Sequence, residues 1–424
     1  MKYSATMVVA IQGGLSMTIQ KSLFGLGIAY ALFASTALAG ELVVNSDQTD
    51  PAPKKAMEEL IAGFEAANPD VKVKWNNFDH EGYKSAIRNF LTADAPDVAA
   101  WYAGNRMAPF VKAGLFEDVS DVWAANGLDD SLKSAAASMT IDGKKWGVPY
   151  TYYQWGIYYN KEAYKKAGAT EPKNWDEFVA NCEKFKAAGI DCLTTGTKAL
   201  WPGAGIFDYI NMRTNGYEFH MDLTAGKVKW TDDRVKATFA NWAKVVPYMT
   251  ANAAAIDWQD AAALLSQGKA ANYVMGNFAV DTFKKGGMTN DTLGFLVFPE
   301  ITPGVPRAEE APTDTFHIPS GAKNKEDAKK FLAYLASPEA QTKMNATLGQ
   351  LPVNNKATVG DDPFIKAGFE ELSSAYALAQ FFDRDAPADM AKAGMEGFQE
   401  FMAKPDKIDA ILERLQKVAD KVYK

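Results

Sequence analysis

A chain of 424 residues that is 47% hydrophobic, 12% aromatic and 23% charged has a globular composition, which argues against a disordered tract or a coiled coil. At roughly 150 residues per domain it holds two or three domains and can bury substantial cores without a staple. Its 52 Asp and Glu outnumber 45 Lys and Arg. Lys2 and Lys21 are the only charges in residues 1–39, so the remainder is more acidic still, and a cationic face for a nucleic-acid duplex is not expected.

Ser22 to Ala39 is uncharged and apolar, follows Lys21 and ends in Ala37-Leu38-Ala39, the small-x-small pattern of a signal-peptidase site. This predicts a signal peptide over 1–39, a cut after Ala39 and a periplasmic product; the rival reading is a membrane anchor. An initiator at Met17 instead of Met1 would leave MTIQK as the n-region, and Gly40 in place of Cys gives no lipid acceptor after the cut.

Leu42-Val43-Val44 reads as a strand, and Met57, Leu60, Ile61 and Phe64 recur at helical spacing after Asp50-Pro51. Val71 to Trp75 alternates as a second strand, Tyr83, Ile87, Phe90 and Leu91 form a helical stripe, and Pro96 to Trp101 suits a buried parallel strand. This βαβαβ run predicts an α/β domain. Asp142-Gly143 marks a tight turn and Gly156 to Tyr159 another strand. A second α/β pattern follows, with Asn174 capping a helix, Glu177 three positions later, and Trp175, Phe178, Val179, Cys182 and Phe185 on one face. Further helices are expected at 232–246 and 259–267, strands at 271–275 and 294–298, and mostly helix from Lys325 to the end.

Cys182 and Cys192 lie ten positions apart, and an exported chain meets an oxidising compartment, which predicts one disulfide; two buried free thiols are the alternative. No metalloprotease, phosphate-loop, nucleophile-elbow or calcium-loop spacing is present, and His80, His220 and His317 are not at ligand spacing, so neither a metal, a cofactor nor a serine triad is expected. Paired carboxylates of the glycosidase kind stay open, because only the fold could bring them together. What stands out is aromatics beside polar planar groups: Trp101-Tyr102, the run 150–155 with Tyr153 and Trp155, Trp201, Trp258, Phe278 and Phe381 to Arg384. Sugar rings offer apolar C–H faces and hydroxyl edges, and such a mixture suits them; filling a core is the plainer use of any one ring.

The chain resembles the periplasmic substrate-binding proteins of carbohydrate ABC importers, the group that includes maltose-binding protein. The resemblance runs over the whole predicted mature chain. It rests on Phe64-Glu65 with Asn68 to Val73, on Pro96-Asp97-Val98 with Ala113 to Val119, on Gly143 to Pro149 leading to Tyr158 to Lys161, on Gly268 to Ala271 before Met275-Gly276-Asn277, and on Ala328 to Pro338 with Gln341. It implies an α/β fold of two lobes, each a β-sheet flanked by helices, hinged by crossing segments near 151–155, 308–313 and 352–356, with a helix-rich C-terminal region. The lobes would be 40–151 with 313–352 and 155–308 with 356–424.

The resemblance places Asp47 and Gln48 in the cleft, with Gln where the family carries a cation, and Trp101 and Asn105 after the Pro-Asp strand. It adds Phe278 beside Asn277 as a stacking ring, Phe382, Asp383 and Arg384 from the C-terminal region, and Trp201 and Asp208 from the second lobe. Asp79 and His80, and Asp314 with His317, are expected there because strand ends in α/β lobes open onto the cleft; loop or cap roles are the alternative for Asp79, Asp208 and Asp314. The implied function is to bind a di- or oligosaccharide or glycoside and deliver it, as a monomer, to an inner-membrane permease without chemistry on it. Arg384 leaves an acidic sugar open, a non-sugar solute is the rival ligand, and a secreted glycoside-processing enzyme is the rival class.

Overall fold

The computed structural model describes residues 40–424; the Ser22–Ala39 segment, its cut and the alternative start at Met17 lie outside the described residues. Strand Gly40–Ser46 leads to helix Pro51–Ala67, whose proline at the first turn fixes φ where no N–H partner is needed. Ala56, Met57, Leu60 and Phe64 make its buried stripe, with Ile61 half-buried at the edge. Strand Val71–Asn77 pairs in parallel with the first strand, and after helix His80–Ala93 strand Val98–Tyr102 pairs on its other side.

That sheet is completed from far along the chain. Its order is Val71–Asn77, Gly40–Ser46, Val98–Tyr102, Thr313–His317, Val148–Tyr152, with Thr313–His317 antiparallel to both neighbours. A second mixed sheet runs Leu293–Leu296, Trp155–Asn160, Ala270–Gly276, Asp191–Thr194. Asp142 and Gly143 both take positive φ, 51° and 74°, in the tight turn between Thr140–Ile141 and Lys144–Lys145.

In helix Trp175–Ala187 the Asn174 side chain accepts the Glu177 N–H at 3.0 Å, while the Glu177 carboxylate accepts from Lys173 N, one residue before the position a capping box would use. Cys182 on its buried face is disulfide-bonded to Cys192 in strand Asp191–Thr194, with Cα atoms 4.8 Å apart. Helix Pro202–Asn215 is buried at every position from Pro202 to Arg213 and forms the axis of the second core.

The hydrophobic core divides in two. One cluster draws on Leu42 through Tyr150 and Phe316 through Val353, the other on Tyr153 through Ala308 and Phe364 through Ala419. The chain therefore passes between cores three times. Two of the passes are tied together, since Tyr152 and Leu351 exchange backbone hydrogen bonds at 3.1 Å, and a small cluster of Ala311, Leu351, Ile365 and Leu372 fills the space beside them. Gln154 Nε2 adds a bond to the Phe364 carbonyl at 2.9 Å.

Candidate functional site

Between the two cores lies a cavity of about 570 Å³, within the roughly 300–1,000 Å³ usual for small-molecule sites. Its two walls differ in chemistry. Strand ends and loops around the first sheet supply Asp47, Gln48, Asp79, His80, Tyr102, Tyr150 and Asp314, while the second lobe supplies Trp155, Trp201, Trp258, Phe278 and Phe381.

The aromatic wall centres on Phe278, just past strand Ala270–Gly276. Its ring meets Tyr153 and Trp258 edge-on at 5.4 Å each and Trp201 at 6.0 Å, and Trp155 lies 4.7 Å from Phe381. Edge-to-face packing of this kind fixes the rings and leaves faces for a ligand. Gly205 lets Trp155 sit close to helix Pro202–Asn215, since a Cβ there would fall 2.5 Å from the indole.

The polar wall is a network. His80 Nδ1 lies 2.7 Å from Asp47 Oδ2, and Gln48 Nε2 donates to the Tyr150 hydroxyl at 3.2 Å. Burial works against charge on His80, but the Asp47 carboxylate outweighs it and lifts the imidazole above its usual range; the side chain still exposes 47% of its area at the mouth. Arg384 reaches in from the C-terminal turn Phe382–Asp385. Its Nη2 lies 2.9 Å from Asp314 Oδ1 and 3.3 Å from the Tyr153 hydroxyl, and its guanidinium sits 4.2 Å over the Tyr102 ring. Lys84 Nζ is 3.7 Å from Asp383 Oδ2. Burial raises Asp314 despite Arg384, whereas burial pushes Asp383 up too but Lys84, Arg106, Arg384 and His80 outweigh it and hold Asp383 below the usual range.

Of the residues expected in the cleft, Asp47, Gln48, Asp79, His80, Trp101, Tyr153, Trp155, Trp201, Phe278, Asp314, Asp383 and Arg384 line the cavity. Trp101 does so with a largely buried ring whose Nε1 is held by the Arg106 carbonyl at 2.9 Å. Four others are placed elsewhere. Asn105 spends its amide on the Asp385 carbonyl. Asp208 is fully buried and accepts the Phe382 N–H at 2.7 Å. Asn277 faces Tyr158, whose hydroxyl donates to it at 3.0 Å. Phe382 is fully buried against Phe207, Trp230 and Phe398. His317 also faces inward, stacked 4.3 Å from Phe116 and bonded to the Trp146 carbonyl, and burial lowers it to about 4. Tyr102, Tyr150, Trp258 and Phe381, from the aromatic runs the sequence singled out, also line the cavity, and Lys84 and Gln350 join them without having been anticipated. Among the described residues no group of three His, Cys, Asp or Glu is arranged to hold a metal ion, and no helix is long and apolar enough to cross a membrane.

Residues 48–342 match the family model of bacterial extracellular solute-binding proteins. An uncharacterized ABC transporter extracellular-binding protein of Pyrococcus horikoshii is 28% identical over 344 residues, 79% of this chain and 77% of the relative. A probable sugar-binding periplasmic protein of Mesorhizobium japonicum is 28% identical over 368 residues, 81% and 86% of the two chains. Among solved structures, the bacterial solute receptor AcbH, described as having an exclusive substrate preference for β-D-galactopyranose, superimposes with a TM-score of 0.85 at 29% identity, covering 91% of this chain and all of its own. A chitin oligosaccharide binding protein shares the two-lobed fold at a TM-score of 0.82 and 22% identity, over 91% and 99% of the chains.

Proposed function

The chain belongs to the bacterial extracellular solute-binding proteins, and from that premise we propose that it captures a carbohydrate outside the inner membrane and hands it to an ABC importer. One observation carries this reading: an aromatic wall of Trp155, Trp201, Trp258, Phe278 and Phe381 faces a polar wall of Asp47, Gln48, His80, Asp314 and Arg384 across one cavity. A pyranose has the matching asymmetry, with C–H faces to stack and hydroxyls around its rim. The sugar-binding description of the Mesorhizobium relative and the galactopyranose preference of AcbH support it.

In this reading the lobes comprise 40–151 with 313–352 and 155–308 with 356–424, and they close about the three passes between them. The ligand is a sugar or glycoside bound as it arrives, without turnover, by a monomer exported behind a cleaved signal peptide. A thermal-shift screen of purified protein against mono-, di- and oligosaccharides, glycosides and non-sugar solutes tests this. A ligand at a hundred times its Kd adds about 2.7 kcal/mol of stability, which a melting curve resolves. A shift with a sugar and no product in the same tube is the expected result; a shift with non-sugars alone would move the ligand class, and product formation would make the protein an enzyme.

A further inference from the structure

Resting on the carbohydrate reading, we propose that the cleft selects an uncharged polyhydroxylated ring and turns away acidic sugars, with Arg384 acting as a hydroxyl donor and not as a seat for an anion. Three independent features of the wall lead there.

Every cation on the wall already has a carboxylate. Arg384 is 2.9 Å from Asp314, Lys84 is 3.7 Å from Asp383, and Lys285 is 2.6 Å from Asp281. His80 is 2.7 Å from Asp47. Asp50, Asp79 and Glu81 add further negative charge to the same surface. A ligand carboxylate would meet cations that already have carboxylate partners and a surplus of anions, and like charges brought together in a cleft repel strongly.

Three of the helix N-termini that line the cavity are fitted against an anion. Helix ends of this kind normally attract one through free N–H groups and the dipole. Helix Pro51–Ala67 carries proline at 51 and 53, which have no N–H, and Lys54 N bonds the Asp50 carbonyl at 2.9 Å. Helix His80–Ala93 gives its Gly82 N–H to Asp79 Oδ1 at 3.1 Å. Helix Trp258–Ser266 begins at Asp257 with Asp260 in its first turn. At the last two helices acidic side chains of the protein hold the positions an anionic ligand would need; at the first, prolines and a backbone bond take away the donors.

Unpartnered polar atoms complete the pattern. Gln48, Arg384 and Trp155 are all more than nine-tenths buried, all line the cavity, and each leaves one polar atom with no protein partner: Gln48 Oε1, Arg384 Nη1 and Trp155 Nε1. That is one acceptor and two donors. A hydroxyl both donates and accepts and can answer all three, whereas a carboxylate only accepts and would leave Gln48 Oε1 desolvated and unbonded.

The test is calorimetric titration of the purified protein with pairs of probes, neutral hexoses and disaccharides beside the uronic acids that differ by one carboxylate. A neutral sugar is expected to bind, with its uronate weaker by about tenfold or more. Asp314→Asn frees Arg384 and should narrow that gap. Asp79→Asn, at an exposed N-cap where Asn serves as well as Asp, should narrow it at low salt with folding intact. A uronate that equals or exceeds its neutral partner overturns the selectivity alone. Absence of binding by both members of every pair overturns the carbohydrate reading beneath it.

Discussion

Phe381 and Phe382 are neighbours with opposite fates. Phe381 packs on Trp155 at the cleft, while Phe382 is sealed among Phe207, Trp230 and Phe398. Phe382→Ala should therefore lower stability by about 3–5 kcal/mol in denaturant titrations. Trp258→Ala, at a half-buried ring of the aromatic wall, should weaken sugar binding by roughly tenfold, close to 1.4 kcal/mol, with little change in melting temperature; equal affinity in the variant would remove that ring from the site. The sequence shows a block of aromatic and charged residues at 381–384 but not which ring turns inward. That choice is made by Asp208, which accepts the Phe382 N–H from 174 positions away, and by Asp385, which accepts the Gln380 N–H at 3.0 Å. Periodicity carries no trace of such partners, and for the same reason Asp208 reads as a cleft residue when it is a buried anchor.

Elements with one wet face were legible, because a 3.6-residue stripe such as Met57, Leu60, Phe64 or Trp175, Phe178, Cys182 betrays the buried side. Helix Pro202–Asn215 has no wet face, so its pattern says nothing about what it positions. Its role shows at Gly205, where a side chain would strike the Trp155 indole while Tyr209 holds the Trp155 carbonyl at 2.6 Å. Replacing a helical glycine by alanine ordinarily stabilises by about 1 kcal/mol. Gly205→Ala is expected to do the reverse, lowering both melting temperature and ligand affinity; a higher melting temperature with unchanged affinity would refute the contact. The cysteine spacing was readable too, and removing both cysteines should cost about 2–3 kcal/mol by the loop-entropy account, measured by denaturant titration of Cys182→Ala/Cys192→Ala.

At the scale of the molecule, burial sets a pH dependence. It lifts Asp208 to about 8, Asp385 to about 7 and Glu310 well above the carboxylate range. Asp208 Oδ1 and both Glu310 oxygens lack hydrogen-bond partners, and for Glu310 burial and the neighbouring Asp208 carboxylate both favour the protonated form. Folded-state values raised this way give stability that is complete below the ordinary carboxylate range and lost as pH climbs towards about 8. His80, raised by Asp47 against the opposing effect of burial, has the same sign. His220 and His317, lowered to about 4 by burial, work oppositely, and their contribution disappears as pH falls from 6.5 towards about 4. Between pH 6.5 and 8 the two buried histidines are silent, so the melting temperature should fall across that window and Asp208→Asn should flatten the slope; a rise would contradict the upward shift of the buried carboxylates.

Strand Thr313–His317 fills the gap between Val98–Tyr102 and Val148–Tyr152, and this order has a meaning in time. As the chain emerges from the ribosome at ~5–20 residues per second, Tyr102 waits roughly ten to forty seconds for its partner Asp314 to be made. Until then the first sheet has an open seam and the lobe around it is unfinished. For the exported chain proposed above, which would enter a narrow translocation pore as a thread, the interleaving of the two lobes postpones folding into shape.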